Sequence, residues 1–239
     1  MLRSTLPSRW LIHASAIDHY RNGEPEIRLL RRLCDPRRDA VDIGANIGTY
    51  TYFLRRYARH VFAFEPNPDL ARRLRANFRS RVTVIEAALS DRIGAARLYV
   101  PLEQGQQRHE LGSLDVQDGP RIAIDVPVKR LDDCECGEVG LLKIDVERHD
   151  REVLRGAAQT IERHRPNIIL EVTPLLYEQP LTEVLAPLFA DGYQGYFRFE
   201  GKYLPFELFD PDLHANRELY RRGKFMGTNV VLTREPMRL

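Results

Sequence analysis

Residues 40–48 read Ala40-Val41-Asp42-Ile43-Gly44-Ala45-Asn46-Ile47-Gly48. Ala40 to Ile43 is a short apolar run broken only by Asp42, which fits a buried parallel strand. Gly44 and Gly48 bracket a tight turn, and Ile47, Tyr50, Thr51 and Leu54 open a helical period. Strand, glycine turn and helix together have the local shape of a nucleotide-binding βα unit. The glycines let the backbone approach a ligand where a Cβ would block it.

The spacing argues against a dinucleotide grip. That fingerprint needs three glycines as G-x-G-x-x-G, whereas here Asp42 precedes Gly44 by two residues and Gly48 follows by four. A carboxylate beside the loop suits a cationic ligand, such as the ammonium of an amino-acid moiety. The second anchor is Glu65, which ends the apolar run Val61–Phe64 and lies 23 residues beyond Asp42. That is one βαβ step, and a carboxylate there can accept from two ribose hydroxyls. A cation plus a ribose describes S-adenosylmethionine better than NAD. The plainer alternative is a turn that only shapes a strand–helix corner, with Glu65 a solvated cap.

The rest of the composition bounds the class. A chain of 239 residues, 43% hydrophobic and 29% charged, has room for one domain with a sizeable core. A formal net charge of +2 gives no basis for a nucleic-acid surface. Three cysteines, Cys34, Cys134 and Cys136, argue against a disulfide scaffold and for a reducing, cytoplasmic setting. Cys134 and Cys136 read as ordinary loop thiols, since the spacing supplies no metal partners. No apolar stretch approaches the roughly 20 residues of a membrane span, and the N-terminus lacks the apolar core of a secretion signal.

Residues 1–36 read as an N-terminal arm, with Trp10, Leu11, Ile12 and Ile17, followed by a helix from Pro25 to before Pro36. Residues 37–239 read as the main domain. Its strands are expected at 40–44, 60–64, 82–86, 140–146 and 167–172, with helices at 47–58, 150–163 and 182–191 and one opening at Asn67-Pro68, an N-cap with proline at N1. Residues 96–100 and 122–128 read as a further strand pair, and 193–199 and 228–233 as an antiparallel pair closing the sheet. This is an α/β pattern, a mostly parallel sheet with helices on both faces.

In such sheets ligands sit outside the carboxyl ends of the strands, where strand order reverses. The segment Lys143-Ile144-Asp145-Val146-Glu147-Arg148-His149-Asp150 falls there. If the chain stays extended, residues 143, 145, 147 and 149 share one face. Acids at a helix start are favoured by the macrodipole, which explains Asp150 and Glu147 but not Lys143 or Asp145 inside an apolar run. Two acids and a histidine could also hold magnesium or manganese, a weak signal from so few ligands.

Four motifs in order, Val41–Gly48, Ala63–Pro68, Ala88–Asp91 and Leu142–Glu147, resemble the FkbM-type S-adenosylmethionine-dependent methyltransferases. The resemblance covers roughly residues 25–233. It implies a class I (Rossmann-like) methyltransferase fold with a seven-stranded sheet, its last strand antiparallel. It implies methyl transfer, usually to a hydroxyl of a small metabolite, sugar, lipid or polyketide. By position, Asp42, Gly44, Ala45, Asn46 and Gly48 would surround the methionine part of the donor, Glu65 with Pro66 and Asn67 the ribose, and Ala88 and Leu89 the adenine. The family usually has Glu-Gly-His-Glu after the fourth strand, where this chain has Glu147-Arg148-His149-Asp150. If the glycine takes a positive φ, Arg148 there costs on the order of 1 kcal/mol.

The reading is therefore an O-methyltransferase, with His149 or Asp145 as base and Glu147 orienting it or joining a metal site. The alternatives are a non-catalytic methyltransferase-like binding module and, less favoured, an NAD-dependent oxidoreductase. Residues 102–121 are expected to form a lid and 200–227, with Tyr203, Phe206, Phe209, His214 and Tyr220, the rest of an acceptor pocket.

Overall fold

In the computed structural model, which describes residues 8–103, 106–107, 112–114, 119–146, 148–172, 180–214 and 229–237, strand β1 (Asp39–Ile43) is buried along its whole length. It pairs in parallel with β2 (Val61–Phe64) on one side and β8 (Val139–Ile144) on the other. From β1 the chain moves outward through helix α3 (Thr49–Tyr57) to β2, then through α4 (Pro68–Asn77) to β3 (Val82–Ile85). It then returns to the opposite flank of β1 to form β8. Helices α5 (Asp150–Gly156) and α6 (Ala158–His164) lead to β9 (Asn167–Glu171), and α7 (Leu181–Ala190) to β10 (Gln194–Phe199). β12 (Asn229–Thr233) inserts antiparallel between β9 and β10.

The sheet has eight strands rather than seven. The added edge is β11 (Lys202–Pro205), antiparallel to β10. It forms because Glu200 and Gly201 both take positive φ, 46° and 86°, the geometry of a two-residue hairpin turn. A second, four-stranded sheet is built from β4 (Ala88–Leu89), β5 (Gly94–Glu103), β6 (Gln106–Gln107) and β7 (Arg121–Lys129). The pair expected at 96–100 and 122–128 is thus present and longer, continued into a hairpin where a loop was expected from 102 onward.

Alternation along the strands divides the core. Val41, Ile43, Leu142, Ile144, Ile168 and Leu170 face α5, α6 and α7. Ala40, Leu141, Ile169 and Val231 face α3 together with Ile12, Ala16, Ile27 and Leu30 of the N-terminal segment. That segment consists of α1 (Ser8–Asn22), a 3-10 turn at Pro25–Leu29 and one helical turn, α2 (Leu30–Leu33). The single helix expected at 150–163 is broken at Ala157. Gly156 lies so close to the Ser90 carbonyl oxygen that a Cβ would sit 1.9 Å from it.

Candidate active site

The site grows from the carboxyl ends of β1 and β8, where strand order reverses. Gly44 leaves β1 with φ +77°, and a Cβ there would lie 1.8 Å from the Asp145 carbonyl oxygen. Only glycine lets these two strand ends approach. Asn46 follows with φ +52°. Gly48, at φ +92°, opens α3, and a Cβ there would meet Phe78 and Leu74 of the neighbouring helix segment at 2.6 and 2.7 Å. Its smallness serves packing rather than the cleft.

Glu65 ties the turn to the next loop. Its Oε2 accepts from the Asn46 backbone N–H at 2.7 Å and its Oε1 from the Asn67 N–H at 2.9 Å. Burial pushes its carboxyl up to about 7, against the pull of those two N–H groups. Each oxygen retains lone-pair capacity for a hydroxyl donor. Asn67 itself is buried and caps α4, its Oδ1 accepting from the Asp69 N–H at 3.0 Å.

The resulting cleft spans about 630 Å³ of empty space, open solvent at its mouth included. Gly44, Asn46, Glu65, Pro66, Ala88, Leu89, Asp145 and His149, all singled out in the sequence, line it. Four other singled-out residues sit behind it. Asp42 is buried under the turn, accepting from the Thr51 hydroxyl, with its carboxyl raised by burial to about 6. Ala45, Gly48 and Asn67 shape the turn and its packing. Glu147 lies outside the described residues.

β8 ends at Ile144, so the shared extended face expected for residues 143–149 does not form. Arg148 turns the chain with φ +78°, the positive value anticipated for the family's glycine. This separates the polar groups into two sets. His149 faces β4: its Nε2 lies 3.0 Å from Ser90 Oγ and its Nδ1 3.7 Å from Glu152. Asp145 turns the other way. Its carboxylate lies 3.4 Å from the Nζ of Lys143, which is 1% exposed, 3.9 Å from Glu171 and over the Tyr50 ring at 4.8 Å. Burial works against the Lys143 ammonium, but Asp145 and Glu171 outweigh it and the net shift is upward.

The sequence reading passed over Glu171, Glu24, Tyr50 and Asn229 as site residues. Glu171 carries the signal that marked Asp145, an acid ending an apolar strand. Among the described residues no group of three or more His, Cys, Asp or Glu is placed to hold a metal ion. Gly112 and Leu114 line the same cleft, with Ser113 paired to Tyr99; the rest of the expected lid lies largely outside the described residues. Of the expected acceptor residues, Phe206, Phe209 and His214 pack against Phe197, and Tyr203 bonds Glu26 at 3.0 Å. They serve the core rather than this cleft, and Tyr220 lies outside the described residues.

A parallel sheet with its switch point at β1 and β8, a glycine turn and an acid at the end of β2 define a class I methyltransferase fold. The methyltransferase FkbM domain model matches residues 42–203, and the chain belongs to that family of S-adenosylmethionine-dependent methyltransferases. It is 29% identical over 194 residues to hexuronic acid methyltransferase AglP of Haloferax volcanii, covering 72% of this chain and 74% of that one. It is 29% identical over 167 residues to methyltransferase sdnD of Sordaria araneosa, covering 55% and 64%. The crystal structure of an FkbM methyltransferase from Methylobacillus flagellatus superimposes with a TM-score of 0.52 at 16% identity, over 96% of this chain. This chain spans a little over half, 56%, of that one.

The cleft residues fit the family's donor. Phe64, Pro66, Ala88, Leu89 and Leu98 offer an apolar shelf for a purine, and Glu65 offers a carboxylate for ribose hydroxyls. Gly44, whose Cβ position is taken by the Asp145 carbonyl, brings the ends of β1 and β8 together at the floor of the cleft.

Proposed function

We propose that this protein is an O-methyltransferase acting on a hydroxyl of a sugar-like acceptor, with Asp145 as the base. The reading rests on one observation above all: Asp145 belongs both to the donor cleft and to the Lys143–Glu171 cluster beside it. Asp145 is thus the residue shared by the cleft and that cluster. The Haloferax relative, a hexuronic acid methyltransferase, supports the sugar class.

The bound donor supplies a methyl group already activated on a sulfonium. The chain's task is then alignment and removal of the acceptor proton. Gly44 lets the ends of β1 and β8 close on each other, which sets Asp145 at the cleft, and Glu65 would hold the ribose by accepting its hydroxyls. Asp145 accepts the hydroxyl proton as the oxygen–carbon bond forms and the carbon–sulfur bond breaks. Lys143, buried beneath, fixes the Asp145 carboxylate and compensates its charge. His149, engaged with Ser90 and Glu152, stays on the adenine side of the cleft and positions the start of α5.

The test is transfer of tritium from S-[methyl-³H]adenosylmethionine to a glycoside hydroxyl. Asp145→Asn should lower kcat by 10²–10⁴-fold while S-adenosylhomocysteine affinity stays within threefold. His149→Ala should lose less than tenfold. The opposite ranking would move the base to His149. Donor binding without transfer to any acceptor would favour a methyltransferase-like binding module.

A further inference from the structure

β8 and β9 run parallel with Ile144 opposite Leu170. Asp145, just past β8, and Glu171, the last residue of β9, therefore leave the sheet next to each other. Beneath them lies Lys143, 1% exposed, its Nζ 3.4 Å from Asp145 and 3.9 Å from Glu171. The two carboxyl side chains are 29% and 30% exposed and are hydrogen-bonded to each other. A carboxylate is an acceptor only. A hydrogen bond between two carboxyl groups thus requires a proton on one of them.

The surroundings place that proton. The other acids of the cluster have donors of their own. Glu24 accepts from the Tyr50 hydroxyl at 2.6 Å and from the Asn229 amide at 3.0 Å. Glu26 accepts from the Tyr203 hydroxyl at 3.0 Å and from the same amide at 3.2 Å. Among the described residues the Glu171 side chain has only Lys143 and Asp145 as partners, with Glu24 adding a like charge. The single ammonium of Lys143 is shared among Asp145, Glu171, Glu24 and Asp42. Burial, and next the charge of Asp145, holds the Glu171 carboxyl well above the usual range. Two carboxyl groups this close share their protons as a unit. Glu171 keeps the proton and Asp145 accepts the hydrogen bond. Asp145 is also the one of the two that lines the cleft, where Glu65 and, under the turn, Asp42 are the other acids facing it.

Resting on the reading of Asp145 as the base, we infer that Glu171 is a positioning residue of the reaction, a protonated acid that donates to Asp145 and, with Lys143 below, fixes that carboxylate at the cleft. Before transfer the pair holds one proton and one negative charge. Asp145 then takes the acceptor's hydroxyl proton as the oxygen–carbon bond forms, and the carbon–sulfur electron pair stays on sulfur. The pair becomes neutral with two protons, and the sulfonium becomes a neutral thioether. Both side chains are open enough to return the extra proton to solvent.

The experiment has two arms. Infrared spectra of the S-adenosylhomocysteine-loaded protein at neutral pH, wild type minus Glu171→Gln, should show the carbonyl stretch of a protonated carboxylic acid. Glu26 and Glu65, also raised by burial, cancel in that difference. Carboxylate bands alone would overturn the shared proton. In the second arm, tritium transfer from S-[methyl-³H]adenosylmethionine to methyl β-glucopyranoside is followed against pH. The glutamine amide keeps a donor toward Asp145, so kcat in Glu171→Gln should stay within about threefold of wild type, whereas Glu171→Met, with no donor, should lose roughly 10–100-fold, the worth of one hydrogen bond to a charged group. Affinity for S-adenosylhomocysteine should be unchanged in both, which reports folded protein. The wild-type kcat should fall at alkaline pH as Glu171 ionises, and Glu171→Gln should remove that fall. Full kcat in Glu171→Met, or equal losses in the two variants, would overturn the positioning role. The acid band without transfer to any acceptor would leave the pair standing and remove the reaction it serves. Failure of the wild type to bind S-adenosylhomocysteine would remove the methyltransferase reading itself.

Discussion

Arg148 occupies a left-handed backbone position, φ +78°, where glycine has no penalty and an L side chain pays about 1–2 kcal/mol. Part of that is returned because glycine loses more entropy on folding. Arg148→Gly should therefore stabilise the protein by about 0.5–1 kcal/mol, a rise in Tm of about 1–4 °C by differential scanning calorimetry. A fall in Tm would mean that the guanidinium makes a compensating contact. Glu65 gives a pH dependence. Its raised carboxyl, about 7, means the folded protein keeps a proton that the unfolded chain loses nearer 4.5. Its contribution to stability is then complete below that lower value and fades as pH rises through 7. Donor binding runs the opposite way, since ribose hydroxyls donate to the ionised form. S-adenosylhomocysteine affinity should rise between pH 6 and 8, by at most about tenfold per unit, and Glu65→Gln should flatten the profile. A flat wild-type profile would contradict the role of Glu65. The residue types at this site were legible because charge inside an apolar run is costly. Their contacts were not: Asp42 reads as a ligand-facing acid, yet its hydrogen bond goes to Thr51, under the turn.

At the scale of elements, the sequence marked the start of α4 through Asn67-Pro68 and the β1 turn through its glycines. It did not mark the break between α5 and α6, because the apolar period runs on through Val153, Leu154, Ala157 and Ile161. What breaks the helix is a tertiary contact, Gly156 against the Ser90 carbonyl. Gly156→Ala should push α5 off β4 and cost about 1–3 kcal/mol, read as a lower urea midpoint with an unchanged slope. An unchanged midpoint would show that the two elements can part freely. β11 escaped notice for another reason: its turn, Glu200-Gly201, has a non-glycine at its first left-handed position, so only half of the usual hairpin signal is written in the sequence.

Across the whole molecule, the sequence yields strand order only through the pattern of alternation and through family resemblance. The switch point at β1 and β8 then places the cleft without further information. The polar cluster beside Asp145 was not legible, since Glu24, Tyr50, Glu171 and Asn229 are up to 205 residues apart. Only the closure of β12 against β9 brings them together. The central claim is that the β1–β8 cleft is built for S-adenosylmethionine. Titration calorimetry with S-adenosylhomocysteine and, in parallel, NADH, on the wild-type protein and on Gly44→Ala, tests it most directly. The account predicts one site for S-adenosylhomocysteine, no heat from NADH, and loss of binding at least a hundredfold in Gly44→Ala, whose added methyl meets the Asp145 carbonyl. NADH binding as tightly as S-adenosylhomocysteine, or full affinity in Gly44→Ala, would contradict it.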